Sequence, residues 1–375
     1  MATMLRDFIK TIISTVRAAE LNNVFQRSEL SKIGLFYGAA GVAYFLLEAS
    51  RIMRDPELLR DADRFCSFAE AKPNGPLPNQ HSKALAKPLL NVERAIITGS
   101  GGVGYTRALL AASMGVPDGV GSGIEMLADA WSGTDALGDD MHVELHFGAA
   151  GFTCAATDLL ERLTELAPAQ RDVLALVQKQ SAMRLVASLE RPFAERADAV
   201  GMAHGVAGPL YACLRASAAP EIVSRRMDEF LDLAIDQPPL IQWPSALDTR
   251  QLDDLPTSFC GGLSGVLTLL CTAAKTLRSE RIAEYAARAA FMLRKLPAYH
   301  PGICCGAAGQ AIAVSHHAAI SGCSASARWA RSRLRWAAEE SASQSPVNLW
   351  YGRPGIALAA FALSGKGALP LFPRP

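Results

Sequence analysis

Cys304-Cys305-Gly306-Ala307-Ala308-Gly309, running on into the apolar stretch Gln310–Ala318, contains the phrase that decides the fold, because the chain repeats it seven times. The other copies are Gly38–Gly41, Gly99–Gly102, Gly148–Gly151, Gly205–Gly208, Gly262–Gly265 and Gly352–Gly355. In each, two mostly small residues separate a pair of glycines, and an apolar stretch follows. Successive copies start 44 to 61 residues apart, room for two helices and their connections. A repeat of that period signals one supersecondary unit stacked on copies of itself.

Short helical patterns follow the phrases, such as Val42–Ser50, Phe152–Leu163 and Val266–Lys275. They are rich in Ala and Leu and poor in charge, as helices buried on most sides must be. Between them lie amphipathic segments: Arg171–Leu189, Ser224–Ile235 and Ser279–Leu296. Alternating buried and amphipathic helices predict an all-α fold, an α/α toroid of about seven inner and seven outer helices. The glycine phrases should sit at one end of the inner ring, where they permit tight turns and close helix approach. Residues 30 to 370 read as one all-helical unit, residues 1–375 as a single domain, with an N-terminal helix at about 1–30 packed on it.

Composition agrees with a packed core. Half of the 375 residues are apolar and 19% are charged, which excludes global disorder. A net charge of +1 gives no general nucleic-acid surface. Arg6, Asp7 and Lys10 interrupt the apolar pattern of the N-terminus, unlike a signal-peptide core. The uncharged, apolar run Ile33 to Leu47 is too short for a membrane span. Eight cysteines without a disulfide-like spacing point to a reducing, cytoplasmic setting. Two segments interrupt the pattern: residues 72–92, and residues 236–258 with Pro238, Pro239, Pro244 and Pro256. The second leads into Cys260 and is expected to wall the site.

The phrases also align chemistry. Cys260 and Cys304 each stand two residues before their first glycine, while His204 and Cys305 stand one before theirs. As thiolates, Cys260, Cys304 and Cys305 are candidate zinc ligands; three protein ligands leave one tetrahedral position open, as in catalytic sites. Neighbouring ligands suit a turn better than a helix, where side chains diverge by about 100°. An isolated Cys-Cys pair reads more simply as buried hydrophobe, but the third Cys in the equivalent phase favours metal. Cys66, Cys154, Cys213, Cys271 and Cys323 lack the phase and read as core. His204 is a candidate metal ligand or proton carrier. Glu144, His142 and His146, with Asp139 and Asp140 behind them, offer a second acid or base just before the third phrase. His300, His316 and His317 show no equivalent placement.

At these residues the chain resembles the lanthionine synthetase C-like family of lanthipeptide cyclases. Gly201-Met202-Ala203-His204-Gly205-Val206-Ala207-Gly208, Cys260-Gly261-Gly262-Leu263-Ser264-Gly265 and Cys304–Gly309 carry it most specifically, and the phrases extend it over nearly the whole chain. The resemblance implies an α/α toroid with a central Zn2+ ion, adding a peptide Cys thiol to dehydroalanine or dehydrobutyrine. It implies Cys260 and Cys304 as metal ligands, with Cys305 in place of a histidine, a set known in some members. It also implies His204 as proton donor and Glu144 as assisting acid or base. Three thiolates leave the ligand and metal charge at minus one, which favours an electron-rich substrate sulfur. Three departures stand out: Phe259-Cys260-Gly261-Gly262 replaces the family's Trp-Cys-Tyr-Gly, Pro256 replaces an Arg, with Arg250 a stand-in, and Glu144 replaces an Asp.

The expected partners are a dehydrated precursor peptide and a separate dehydratase, with no nucleic acid and no membrane span. The competing readings are a transferase adding a low-molecular-weight thiol to dehydrated protein, and a zinc-stabilised scaffold that binds precursor or partner enzymes. A glycosidase would want paired carboxylates, which the cysteine phase does not support.

Overall fold

The computed structural model describes residues 2–18, 31–71, 93–134, 143–195, 199–237, 240–247, 257–341 and 347–372. Among these residues the chain forms fourteen α-helices. After α1 (Ala2–Ala18) come six helix pairs: α2 (Ala39–Met53) and α3 (Glu57–Ala71), α4 (Ser100–Met114) and α5 (Pro117–Ser132), α6 (Ala149–Arg162) and α7 (Pro168–Glu190). The series continues with α8 (Ala207–Arg215) and α9 (Pro220–Asp232), α10 (Leu263–Leu277) and α11 (Glu280–Lys295), α12 (Ala307–Ser321) and α13 (Ser324–Glu340), and ends on α14 (Arg353–Leu363).

The even-numbered helices form the inner ring. Each begins at a glycine phrase, each packs on the next, and α14 packs back on α2, so the ring closes. From Ala39 to Ser50 every residue of α2 is buried, whereas α3 buries a single stripe that includes Leu58, Ala62, Phe65 and Ala69. The seventh outer helix comes from the other end of the chain. Helix α1 packs on α14, and Arg17 reaches Asp61 of α3 at 2.6 Å. Outer helices α5, α7 and α9 start on proline, whose missing N–H costs nothing in a first turn.

One contact explains the second glycine of every phrase. A Cβ there would meet the carbonyl oxygen six residues earlier, at 1.8 to 2.7 Å in all seven copies. The turn leading into each inner helix thus lies across that helix's first coil. Its carbonyls also take up amides that a helix start leaves unbonded: Ala39 N–H donates to Lys32, Ala207 N–H to Val200 and Ala307 N–H to His300. Side-chain caps are unnecessary, and none is present on the inner helices. Gly309→Ala should therefore force the Ile303 carbonyl away and cost about 1–3 kcal/mol, the usual range for overpacking; thermal unfolding measures it.

The chain's last described residues fill the middle of the ring. Tyr44 of α2 donates to the Ala368 carbonyl at 3.2 Å, and Tyr211 of α8, three units away, donates to that of Leu371 at 3.3 Å. Leu371 is fully buried with φ +70°, a left-handed conformation unusual for leucine. Phe372 packs against Tyr211 (centroids 5.4 Å apart) and edge-on to Phe259 (5.1 Å). Because it props the residue before Cys260, Phe372→Ala should cost about 3–5 kcal/mol, as a buried Phe truncation does, in equilibrium unfolding.

Segment 236–258 departs from the helical pattern. At its start, β1 (Ile235–Gln237) pairs antiparallel with β2 (Leu240–Gln242), and the predicted helix through Ile235 stops at Asp232. The wall expected from 236–258 is described only in part, and segment 72–92 lies outside the described residues. Among the described residues no helix is long and apolar enough to cross a membrane.

Candidate active site

Backbone hydrogen bonds link the turns before the phrases in a series that runs most of the way round the toroid. The residue two before the first glycine bonds its equivalent in the next unit: His146 N–H to Ala203 O (3.1 Å), Ala203 N–H to Cys260 O (3.0 Å), Cys304 N–H to Trp350 O (3.0 Å), Trp350 N–H to Phe36 O (3.1 Å) and Phe36 N–H to Ile97 O (3.1 Å). Side chains at these positions and the next therefore gather at one end of the toroid, where the inner-helix N-termini also point.

The three cysteines meet there. Cys260 Sγ lies 2.6 Å from Cys304 Sγ, and the Cys305 thiol is 3.4 Å from Cys304 Sγ. All eight cysteines are free. Cys304 is buried; Cys260 and Cys305 are half-buried. The trio concentrates negative charge on one sulfur. Hydrogen bonding from Cys260 and then Cys304 draws the Cys305 thiol down to about 3. Burial pushes Cys304 up. Cys260 also ends well above the ordinary thiol: its bond to Cys304 acts downward, and Cys305 and burial outweigh it. The buried indole N–H of Trp350 acts downward on the Cys260 thiol as well, without reversing the net direction.

As donors, three thiolates suit zinc. Two sulfurs sharing a tetrahedral zinc stand about 3.8 Å apart, given Zn–S bonds of about 2.3 Å. Cys260 and Cys304 must part by about 1 Å to take one. Among the described residues no group of three or more His, Cys, Asp and Glu side chains is already spread to hold a metal.

Beside the thiols stands a carboxylate–imidazole pair. His204 Nδ1 is 2.9 Å from Glu144 Oε2, with the His204 side chain 46% exposed. Burial lowers the His204 pKa, but the hydrogen bond and charge of Glu144 outweigh it, and the net direction is upward. The His204 turn lies against the Cys260 turn: a Cβ on Gly201 would stand 2.2 Å from the Cys260 carbonyl.

Sequence phase singled out Cys260, Cys304, Cys305 and His204, position before the third phrase added Glu144 and His146, and Tyr37 and Tyr351 were missed. Tyr37 and Tyr351 hold the Cys305 phase, their rings 6.1 Å apart, and the thiols help raise both phenols after burial. His146 holds the Cys260 phase and touches His204 Nε2 at 3.2 Å. Phase could have found the two tyrosines, and it gives His146 a place that its position before the third phrase alone did not. His300 could not be found so: it lies six residues before Gly306, yet it is edge-on to Tyr351 and feels Cys305. His316 and His317 lie in the second half of α12, and His317 meets Ser326 of α13. Burial pushes the Cys66, Cys154 and Cys213 thiols up to about 12, as inert core requires. Asp139, Asp140, His142, Arg250 and Pro256 lie outside the described residues. A cavity of about 830 Å³ lined by Arg215, Lys275 and His316 opens at the opposite helix ends, some 20 Å from the thiols by helix rise.

The toroid agrees with a wider comparison. The model for "Lanthionine synthetase C-like protein" matches residues 95–351. The chain belongs to the lanthionine synthetase C-like family. This lanthionine synthetase C-like chain is also similar in structure to nisin cyclase, with TM-score 0.69, 14% identity and coverage of 98% of this chain and 94% of that one. At that identity the likeness shows the fold. No curated protein matches the sequence.

Proposed function

We propose that this chain, residues 1–375 acting as one domain, is a peptide cyclase. It adds Cys thiols to dehydroalanine or dehydrobutyrine and so closes (methyl)lanthionine-type thioether rings in a ribosomally made peptide. The observation that carries the proposal is the meeting of three thiols from two neighbouring turns beside an exposed imidazole held by a carboxylate. Cys260, Cys304 and Cys305 would hold zinc, which when bound supplies deprotonation of the incoming thiol.

The chain's own residues account for the other half of the chemistry. The substrate sulfur forms its bond to Cβ, and the π electrons of the dehydro residue move to an enolate. His204 then gives one proton to Cα. Glu144 accepts from His204 Nδ1–H, stabilises the imidazolium and leaves Nε2 as the donating atom. The substrate is a dehydrated precursor peptide, which a separate dehydratase must supply. Free thiols at the centre of the site suit a reducing, cytoplasmic setting.

Pro256 in the family's Arg position favours a second reading, a zinc-stabilised scaffold for precursor peptide or partner enzymes. Transfer of a low-molecular-weight thiol to dehydrated protein is a third. Incubation with dehydrated precursor separates them by mass spectrometry. Cyclisation consumes peptide thiols without a mass change, transfer adds the mass of the small thiol, and a scaffold binds with neither.

A further inference from the structure

His146 holds a place that in two units carries the candidate ligands Cys260 and Cys304 and in the other four belongs to the core. Its counterparts Phe36, Ile97 and Ala203 are apolar and buried, and His146 itself is only 5% exposed. Its ring stacks on Tyr37 (5.9 Å, 7° between planes) and on Phe147 (4.5 Å, 18°). Its Nδ1 meets His204 Nε2 at 3.2 Å, while His204 Nδ1 meets Glu144. Both nitrogens of the exposed imidazole are thus engaged by protein groups. Burial, reinforced by His204, lowers the His146 pKa far below that of an ordinary imidazole, so this ring stays neutral. Its Nε2 is buried without a partner, an arrangement that opposes folding. An apolar residue would pack here at less cost, and a local rule broken in a functional cleft points to the function.

Resting on the cyclase reading, the geometry points to His146 as a positioning residue. Its Nδ1 accepts the Nε2–H of His204 and holds that proton at one edge of the cavity until the substrate enolate takes it. The proton passes from His204 Nε2 to Cα, the enolate electron pair forms the new C–H bond, and His204 becomes neutral. His146 neither gains nor loses a proton. His204, being exposed, recovers its proton from water. With Glu144 on one nitrogen and His146 on the other, the ring cannot turn, and the proton reaches one face of the enolate.

Two substitutions test this. His146→Leu removes the acceptor and keeps the apolar packing; His146→Asn keeps a polar atom at the δ position. In substrate-free protein with 15N-labelled histidine, His146→Leu should shift the His204 Nε2 resonance, and His146→Asn should shift it less. With dehydrated precursor, His146→Leu should lower kcat roughly tenfold to a hundredfold, as loss of an imidazole-orienting partner does around metal sites. KM should hold, both Cα epimers should appear, and Tm should stay level or rise; His146→Asn should recover part of the rate and selectivity. An unmoved His204 resonance overturns the proposal whether or not the protein cyclises. So does a lower Tm with equal losses in both variants, or a single epimer at wild-type rate in His146→Leu. If wild-type protein forms no ring, the cyclase reading falls, and the resonance still decides the His146–His204 contact.

Discussion

Alanine at Cys260, Cys304 or Cys305 should strip the protein of zinc that survives dialysis, from about one ion per chain to a small fraction. Zinc sites with four protein ligands bind with about 10–16 kcal/mol, roughly 2.5–4 kcal/mol per ligand. Loss of one thiolate should therefore weaken binding on the order of a hundredfold to a thousandfold. Cys66→Ala is the control: its sulfur is a buried thiol on α3, held up at about 12, and its removal should leave the metal in place. Elemental analysis after dialysis against a mild chelator reads the result. Full zinc retention in all three single variants would remove the metal assignment.

His204→Asn should do the opposite, keeping zinc and losing the reaction. Positioned proton donors contribute about 10²–10⁴ in rate, and loss of that order in ring formation is expected. Parallel loss of zinc and activity would make His204 a fourth ligand and close the site to substrate. The pH dependence has a definite sign. Glu144 raises the His204 pKa above the ordinary imidazole value, so the donating form dominates below it and the rate falls as pH rises through it. Glu144→Gln should move that falling limb to lower pH. By the same linkage, the pair's contribution to stability is fully present below about pH 6.5, the unfolded imidazole value, and is lost as pH rises through the raised His204 pKa.

Much of the architecture was legible because one steric requirement recurs. The Gly265 and Gly309 positions tolerate no Cβ against the Phe259 and Ile303 carbonyls, so the same two-glycine signature had to be written at every inner-helix start. The phase of Cys260, Cys304, Cys305 and His204 relative to that signature became a position in space, because the equivalent turns are bonded to one another in series. Tyr37 and Tyr351 obeyed the same register without carrying a thiol or imidazole to mark them, and His146 was legible only as one of several acid or base candidates before the third phrase. Other features leave no local trace. Phe372 packs on Phe259 across more than a hundred residues of chain, and the outer helix that completes the ring comes from residues 2–18. Periodicity reads a segment's own faces, not its distant partner.

Cyclisation of dehydrated precursor in D2O tests the central claim most directly. Each ring closed by this site should carry one non-exchangeable deuterium at Cα and consume one alkylatable thiol. His204→Asn with zinc still bound should slow both together. A dehydrated peptide that keeps its thiols and gains no deuterium, with zinc bound and His204 intact, would contradict the account.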